Sequence, residues 1–374
     1  MEGGWAMKRI LMTIFSIFMI FILNGCAQSL DKKDVCLINE KILFALNKEG
    51  ATSYYQICPD GSNMQKMEAL SEIFLANDFS GIIPSPDNTK IAFSANYDNN
   101  FDIFVFDVER DSVTNVTNSE GYEYSFGWSP DGNSLAFVSD KEAVAINEEM
   151  GSWTNDLYIV NLENDFIQKL SDGNTQSQYG RPSWSPDGNS IVYSITTRGK
   201  KGPLVSNIGL INLNSFESSL LTDISDLGRH RPVWSPDGKK IMYLENGLHS
   251  LILFVMNNDG TDRIQLTDDN FGFIYQSYWS PDGTKILLSV KKDDKYYIYT
   301  VNADGTDLKN LSTIENQIDT YPYWSPNGKS IVFVSKVLGE NNQLFIMDSD
   351  GSSRIALTDA IYESDMPIWI STSR

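Results

Sequence analysis

Two histidines and three cysteines are all that 374 residues contain. That scarcity leaves no His/Cys set for a tetrahedral zinc site and no dense disulfide framework. Basic side chains are also few: 29 Lys and Arg stand against 49 Asp and Glu, a formal charge of −20. Phosphate backbones and anionic headgroups attract basic surfaces, so this balance argues against nucleic acid as a partner and against docking of the protein body on anionic lipid. Gly-rich phosphate loops are missing, and so is the Gly-x-Ser-x-Gly elbow of a hydrolase domain. Asp-Gly pairs are common, but the twelve-residue calcium-loop spacing fails, and they read better as hairpin turns. Long apolar runs are limited to residues 10–23, fourteen residues without a charge. Such a run is short for a spanning helix and suits the apolar region of a signal peptide, with Lys8 and Arg9 before it.

The run leads into Leu23-Asn24-Gly25-Cys26, which resembles a bacterial lipobox. The resemblance implies cleavage before Cys26, lipid attachment at that thiol, and an extracytoplasmic protein held to a membrane on the periplasmic or cell-surface side. Residues 1–25 are then a lipoprotein signal peptide, 26–39 the anchor and linker, and 40–374 the folded domain. The alternative is an uncleaved membrane anchor or a buried core segment. Cys36 and Cys58 remain as an even pair in an oxidising compartment. They are read either as a disulfide tying linker to domain or as two reduced, half-buried thiols.

What the chain has in abundance is repetition. Trp-Ser-Pro-Asp-Gly occurs at 128–132, 184–188, 234–238 and 279–283, and Trp324-Ser325-Pro326-Asn327-Gly328 is a fifth copy. Pro84-Ser85-Pro86-Asp87-Asn88 lacks only the Trp, and Met366-Pro367-Ile368-Trp369 is truncated. Ser, Pro and Gly at those offsets fit a type I turn. An alternating apolar stretch follows each turn, then a second one, then an Asp-Gly hairpin, then a segment ending in Leu-Thr or Leu-Ser. Four short strands per repeat and no convincing helical period predict the blade of a β-propeller. Residues 41–71 supply the later strands of a blade without its first strand, and residues 366–371 supply a first strand without its turn. Pairing the two would close a ring of seven four-stranded blades and remove the free strand edges; unpaired ends would leave six blades.

These motifs resemble the WD40-like PD40 repeats of the TolB family over residues 40–371. The same repeat occurs in TolB, in propeller domains of prolyl-oligopeptidase-type peptidases and in oligogalacturonate lyases. The resemblance implies an all-β propeller. TolB itself carries an α/β domain before a six-bladed propeller, whereas here residues 27–38 form only a linker, so a role in the Tol–Pal complex is not carried over. Peptidase activity would need the hydrolase elbow that is missing.

The stretch before each marker Trp is the candidate site, because it varies between blades and would face one mouth of the channel. It supplies Glu123 and Tyr124, Tyr179 and Arg181, Arg229, His230 and Arg231, Tyr275 and Gln276, Asp319 and Tyr321, and Asp365. The arginines could form an anion pocket, since guanidinium offers paired planar donors to carboxylate or phosphate. Alternatively they pair across the funnel with Glu123, Asp319 and Asp365. The expected function is a non-enzymatic, lipid-anchored, monomeric scaffold binding an envelope protein, peptide or ligand, with no cofactor and no catalytic residue. The alternative is a polysaccharide lyase of the oligogalacturonate type, for which only His230 and Gln276 are on hand as metal ligands. Asn115-Val116-Thr117 and Asn310-Leu311-Ser312 match glycosylation sequons, but their Thr and Ser belong to the strand-end pattern.

Overall fold

The computed structural model describes residues 39–48, 50–76, 79–97, 100–143, 145–147, 152–171, 177–198, 204–222, 228–337, 339–360 and 363–372. The expected signal peptide, the expected lipid site Cys26, and Cys36 lie outside the described residues. Cys58 is fully buried and disulfide-bonded, while Cys36 as its partner stays an expectation.

Each Ser-Pro-Asp-Gly segment forms the predicted turn. The Gly or Asn amide donates to the serine carbonyl, as in Gly238 N–H to Ser235 O at 2.9 Å. The serine hydroxyl donates to the Asp or Asn side chain, at 2.7 Å for Ser235 to Asp237 and 2.9 Å for Ser325 to Asn327. The same hydroxyl oxygen accepts the amide five residues on, 2.9 Å from Lys240 N. One small side chain thus closes the turn and starts the next strand, which is why the serine recurs in all six turns.

Seven four-stranded antiparallel sheets result. Blades 1 to 6 open with Phe79–Pro84, Glu123–Trp128, Ser177–Trp184, Arg229–Trp234, Phe273–Trp279 and Gln317–Trp324. Blade 7 is the seam. Its first strand is the C-terminal Glu363–Ser371, paired antiparallel with Glu40–Lys48 from Glu40 opposite Ser371 to Asn47 opposite Glu363. Ala51–Ile57 and Gln65–Lys66 complete it. First strands of most neighbouring blades touch one another around the central channel. Outermost strands are only two to four residues long, which leaves little free edge for another chain to pair with.

Two elements depart from the sequence reading. A helix, α1 (Glu68–Ala76), follows the seam blade where only strand was expected; Leu70 and the preceding Met67 bury themselves between blades 7 and 1. The long step between the second and third repeats holds an added hairpin, Ala145–Asn147 with Ser152–Trp153.

The apolar core is divided among the junctions. Seven buried clusters each join residues of two neighbouring blades. Trp369, for example, packs with Val332 and Leu344 of blade 6 and with Phe44 of its own blade. Trp128 also donates its indole N–H to Ile83 O of blade 1 at 3.0 Å. The Leu-Thr and Leu-Ser endings recur for a polar reason. In every blade that hydroxyl oxygen accepts a backbone amide of the third strand, such as Leu253 N–H to Thr267 Oγ1 at 2.9 Å and Tyr54 N–H to Ser71 Oγ at 2.9 Å. The ladder is continued where the fourth strand has ended. Thr117 and Ser312 of the two sequons are occupied in this way.

Removing residues 363–374 deletes the inner strand of the seam and opens two junction cores, so the truncated chain should lose cooperative unfolding. Circular dichroism melts of full-length and truncated protein check this; an unchanged transition would contradict the closure.

Candidate functional site at the channel mouth

Each first strand carries a register shift a few residues before its end. In six of the seven blades the residue three before the marker position has positive φ: Gly81 (64°), Ser125 (49°), Arg181 (46°), Arg231 (54°), Tyr321 (52°) and Met366 (50°). Blade 5 has its shift between Ile274 and Gln276 and no positive φ in Phe273–Trp279. Arg and Tyr are poorly suited to this region, and each such residue costs on the order of 1–3 kcal/mol. A bulge of this kind inserts one extra residue and re-aims a side chain.

The bulge sorts the candidates. Plain alternation would put the residues five and three before the Trp on one face. With an extra residue between them, the phase breaks. Glu123, Arg229 and Asp319, all five before the Trp, do not open on the channel: they are 0%, 5% and 1% exposed. They do not pair across the funnel either. Arg229 Nε donates to Glu245 Oε2 in its own blade at 2.9 Å, and Arg263 Nη2 reaches the same oxygen at 2.6 Å. Asp319 takes a bidentate pair from Arg354 at 2.8 and 2.6 Å. Glu123 accepts from Ser139 Oγ at 2.7 Å; burial first, with Asp102 adding, pushes its carboxyl up to about 7. These side chains are buried struts within a blade or against the preceding one, as with Arg229 Nη1 donating to Asn207 Oδ1 of blade 3 at 3.3 Å, and the expectation that they belong to the channel mouth is corrected. Asp365 and Tyr321 lie on the far side of the ring. Burial, then the Glu363 charge, raises the Asp365 carboxyl; burial, then Asp365, raises the Tyr321 phenol.

Arg181, His230 and Arg231 do come together, with Tyr179, around a cavity of about 460 Å³ between blades 2, 3 and 4. Arg181 is exposed to channel water. The channel wall nonetheless desolvates it, and with Arg231 nearby its guanidinium is pushed down to about 10, still charged at neutral pH. Arg231 Nη1 donates to Tyr275 O of blade 5 at 2.7 Å, which fixes the guanidinium across a blade boundary. His230 is pushed below the usual histidine range by burial and then by Arg231, with Asn246 opposing.

One residue lining the cavity, Asn155, was not legible in the sequence. Asn155, just after the added hairpin of blade 2, donates to Tyr124 OH at 2.7 Å and to Tyr179 O at 3.0 Å, and accepts the Tyr179 amide. Tyr278, directly before a marker Trp, takes a hydrogen bond from Gln276 Nε2 at 3.3 Å and feels both Arg181 and Arg231. The equivalent residue in blade 2 is Gly127, where a Cβ would lie 2.5 Å from Pro182 O; the close approach of blades 2 and 3 there allows no side chain.

Replacing Arg231 by Gln removes a like charge, so the His230 pKa should rise; NMR titration of the imidazole checks it. Asp319→Ala should cost about 3–5 kcal/mol, because it leaves Arg354 buried without its carboxylate, whereas Arg181→Gln should leave the melting curve nearly unchanged.

The model of the TolB β-propeller domain, PD40, matches residues 75–278 and 231–370. An uncharacterized peptidase of Bacillus subtilis, YuxL, is 28% identical over 141 residues, 34% of this chain and 20% of its own length. This chain therefore spans about a fifth of that relative. Among solved structures, an oligogalacturonate lyase in complex with manganese superposes with a TM-score of 0.60 at 14% identity, covering 84% of both chains. TolB from Acinetobacter baumannii gives 0.50 at 18% identity, covering 91% of this chain and 85% of its own. At such identities the likeness concerns the fold. Among the described residues no three His, Cys, Asp or Glu side chains converge, and Gln276 donates to Tyr278 OH at 3.3 Å. Family-model coverage of most of the chain, on a ring of seven PD40 blades, shows that the protein belongs to the TolB β-propeller family.

Proposed function

We propose that this propeller is a binding module of the bacterial cell envelope that takes an anionic ligand, as a small molecule or as an acidic segment of a peptide or protein, at the mouth between blades 3 and 4. One observation carries the reading. Arg181 and Arg231 stand in a shared cavity, both in left-handed backbone conformations, and no carboxylate among the described residues neutralises either. Two like charges held together against their repulsion favour an incoming anion. Arg229, by contrast, is consumed by Glu245.

Titration calorimetry with a tri-glutamate peptide and with citrate tests it. Binding should weaken at least tenfold in Arg181→Gln and in Arg231→Gln, and should fall with added salt. Equal affinity in wild type and both variants would remove the mouth from the argument.

The lipobox-like Leu23-Asn24-Gly25-Cys26 supports tethering through Cys26. Among the described residues no helix is long and apolar enough to cross a membrane. Cys26→Ser should release the protein from the membrane fraction on cell fractionation; retention would argue for an uncleaved anchor.

A second reading, a lyase acting on an acidic polysaccharide, draws on the fold likeness over 84% of both chains. Oligogalacturonate with manganese would then yield an unsaturated, ultraviolet-absorbing product; a flat trace would close this branch.

A further inference from the structure

Of the chain's two histidines, one lines the cavity that holds Arg181 and Arg231. His230 lies between Arg229 and Arg231 on the first strand of blade 4. Those two neighbours go different ways. Arg229 is buried against Glu245, while Arg231 lines the cavity with His230 and with Arg181 of blade 3. The imidazole has a built place. At Gly228 a Cβ would come within 2.7 Å of His230 Nε2 and 2.5 Å of Asn246 Nδ2, so the ring lies against bare backbone beside the Asn246 amide. The other histidine, His249, is exposed in the hairpin between Lys240–Asn246 and Leu251–Asn257, outside the cavity lining.

Charge around His230 is one-sided. Arg231 on its own strand and Arg181 from blade 3 are the charged groups of the cavity wall, and Tyr124 of blade 2 and Tyr179 of blade 3 add phenols. On the paired strand Glu245 is 5% exposed and held by Arg229 and Arg263. From blade 5 the Tyr275 carbonyl reaches Arg231. Among the described residues no carboxylate lines the cavity. Two guanidiniums thus oppose a third positive charge. The imidazole is held below the usual histidine range by burial first, then by Arg231, with Asn246 opposing and Arg181 adding. An anion between the guanidiniums reverses the sign of that field and favours the imidazolium, which gains an N–H to donate. Linkage makes the effect reciprocal: a proton on the imidazole strengthens the hold on the anion by the same factor.

We infer that His230 couples the mouth to pH: the cavity takes up its anion together with a proton on the imidazole, holds it more tightly in mildly acidic surroundings and releases it as the medium turns alkaline. This rests on the anion-binding reading and adds its regulation.

The test is titration calorimetry on the full chain with tri-glutamate and sulfate, both of which keep their charge between about pH 5.5 and 8. Each should bind roughly fivefold tighter, or more, at the acidic end than at the alkaline end. At intermediate pH the heat should differ between buffers of unequal ionisation heat, reporting a fraction of a proton taken up per anion. His230→Gln, checked for folding by its melting curve, should bind equally weakly at every pH and take up no proton. His249→Gln should bind as wild type does. That variant keeps a single imidazole, whose NMR titration should move to higher pH when tri-glutamate is added. Binding that is equal across the range, pH dependence that survives in His230→Gln, or an unmoved imidazole titration overturns the inference and leaves the anion reading standing. No binding of either anion would sink both.

Discussion

A four-stranded blade has two apolar faces and no means of covering either by itself. Among the described residues every buried cluster is shared by two consecutive blades, and none lies within a single blade. Closure is then a condition of stability for all of the blades, since an open ring would expose two faces at the break. Lending the last strand to the first three meets that condition, and the clusters on either side of the seam are as well buried as the others. The repeated serine, the marker Trp and the strand-end hydroxyl each serve this one arrangement, by fixing a turn, filling a junction and finishing a ladder.

Repetition constrains the site as well. Turns and outer strands are held to a common pattern, so variation is concentrated where the first strand enters the channel. There a bulge turns one residue per blade out of the regular alternation. The ring carries Ser125, Arg181, Arg231, Tyr321 and Met366 at that position, around a Gly81 with no side chain. The result is an uneven collar, cationic at blades 3 and 4 and apolar or aromatic at blades 6 and 7.

Electrostatics separates two uses of arginine in the same fold. Arg229 and Arg354 lie nearly out of solvent against Glu245 and Asp319, where breaking either pair would leave a buried charge. Arg181 and Arg231 face the channel and each other without such a partner. Total charge says nothing of this difference: a chain of −20 still builds a local cationic point, because burial and pairing remove the acids that would have screened it.

The sequence by itself determined the ring. Marker spacing, turn chemistry and the complementary ends specify blades, their number and their closure, because each is local or depends on a count along the chain. It also singled out the stretch that holds the site. Which residues of that stretch reach the channel was decided by the tertiary structure alone. A single inserted residue inverts the alternation, so Arg229 and Arg231, two positions apart, end in a buried strut and an open cavity. Asn155 joined the site only through packing of neighbouring blades. A one-residue bulge leaves no mark on composition or period, and contacts between blades have no fixed separation in sequence.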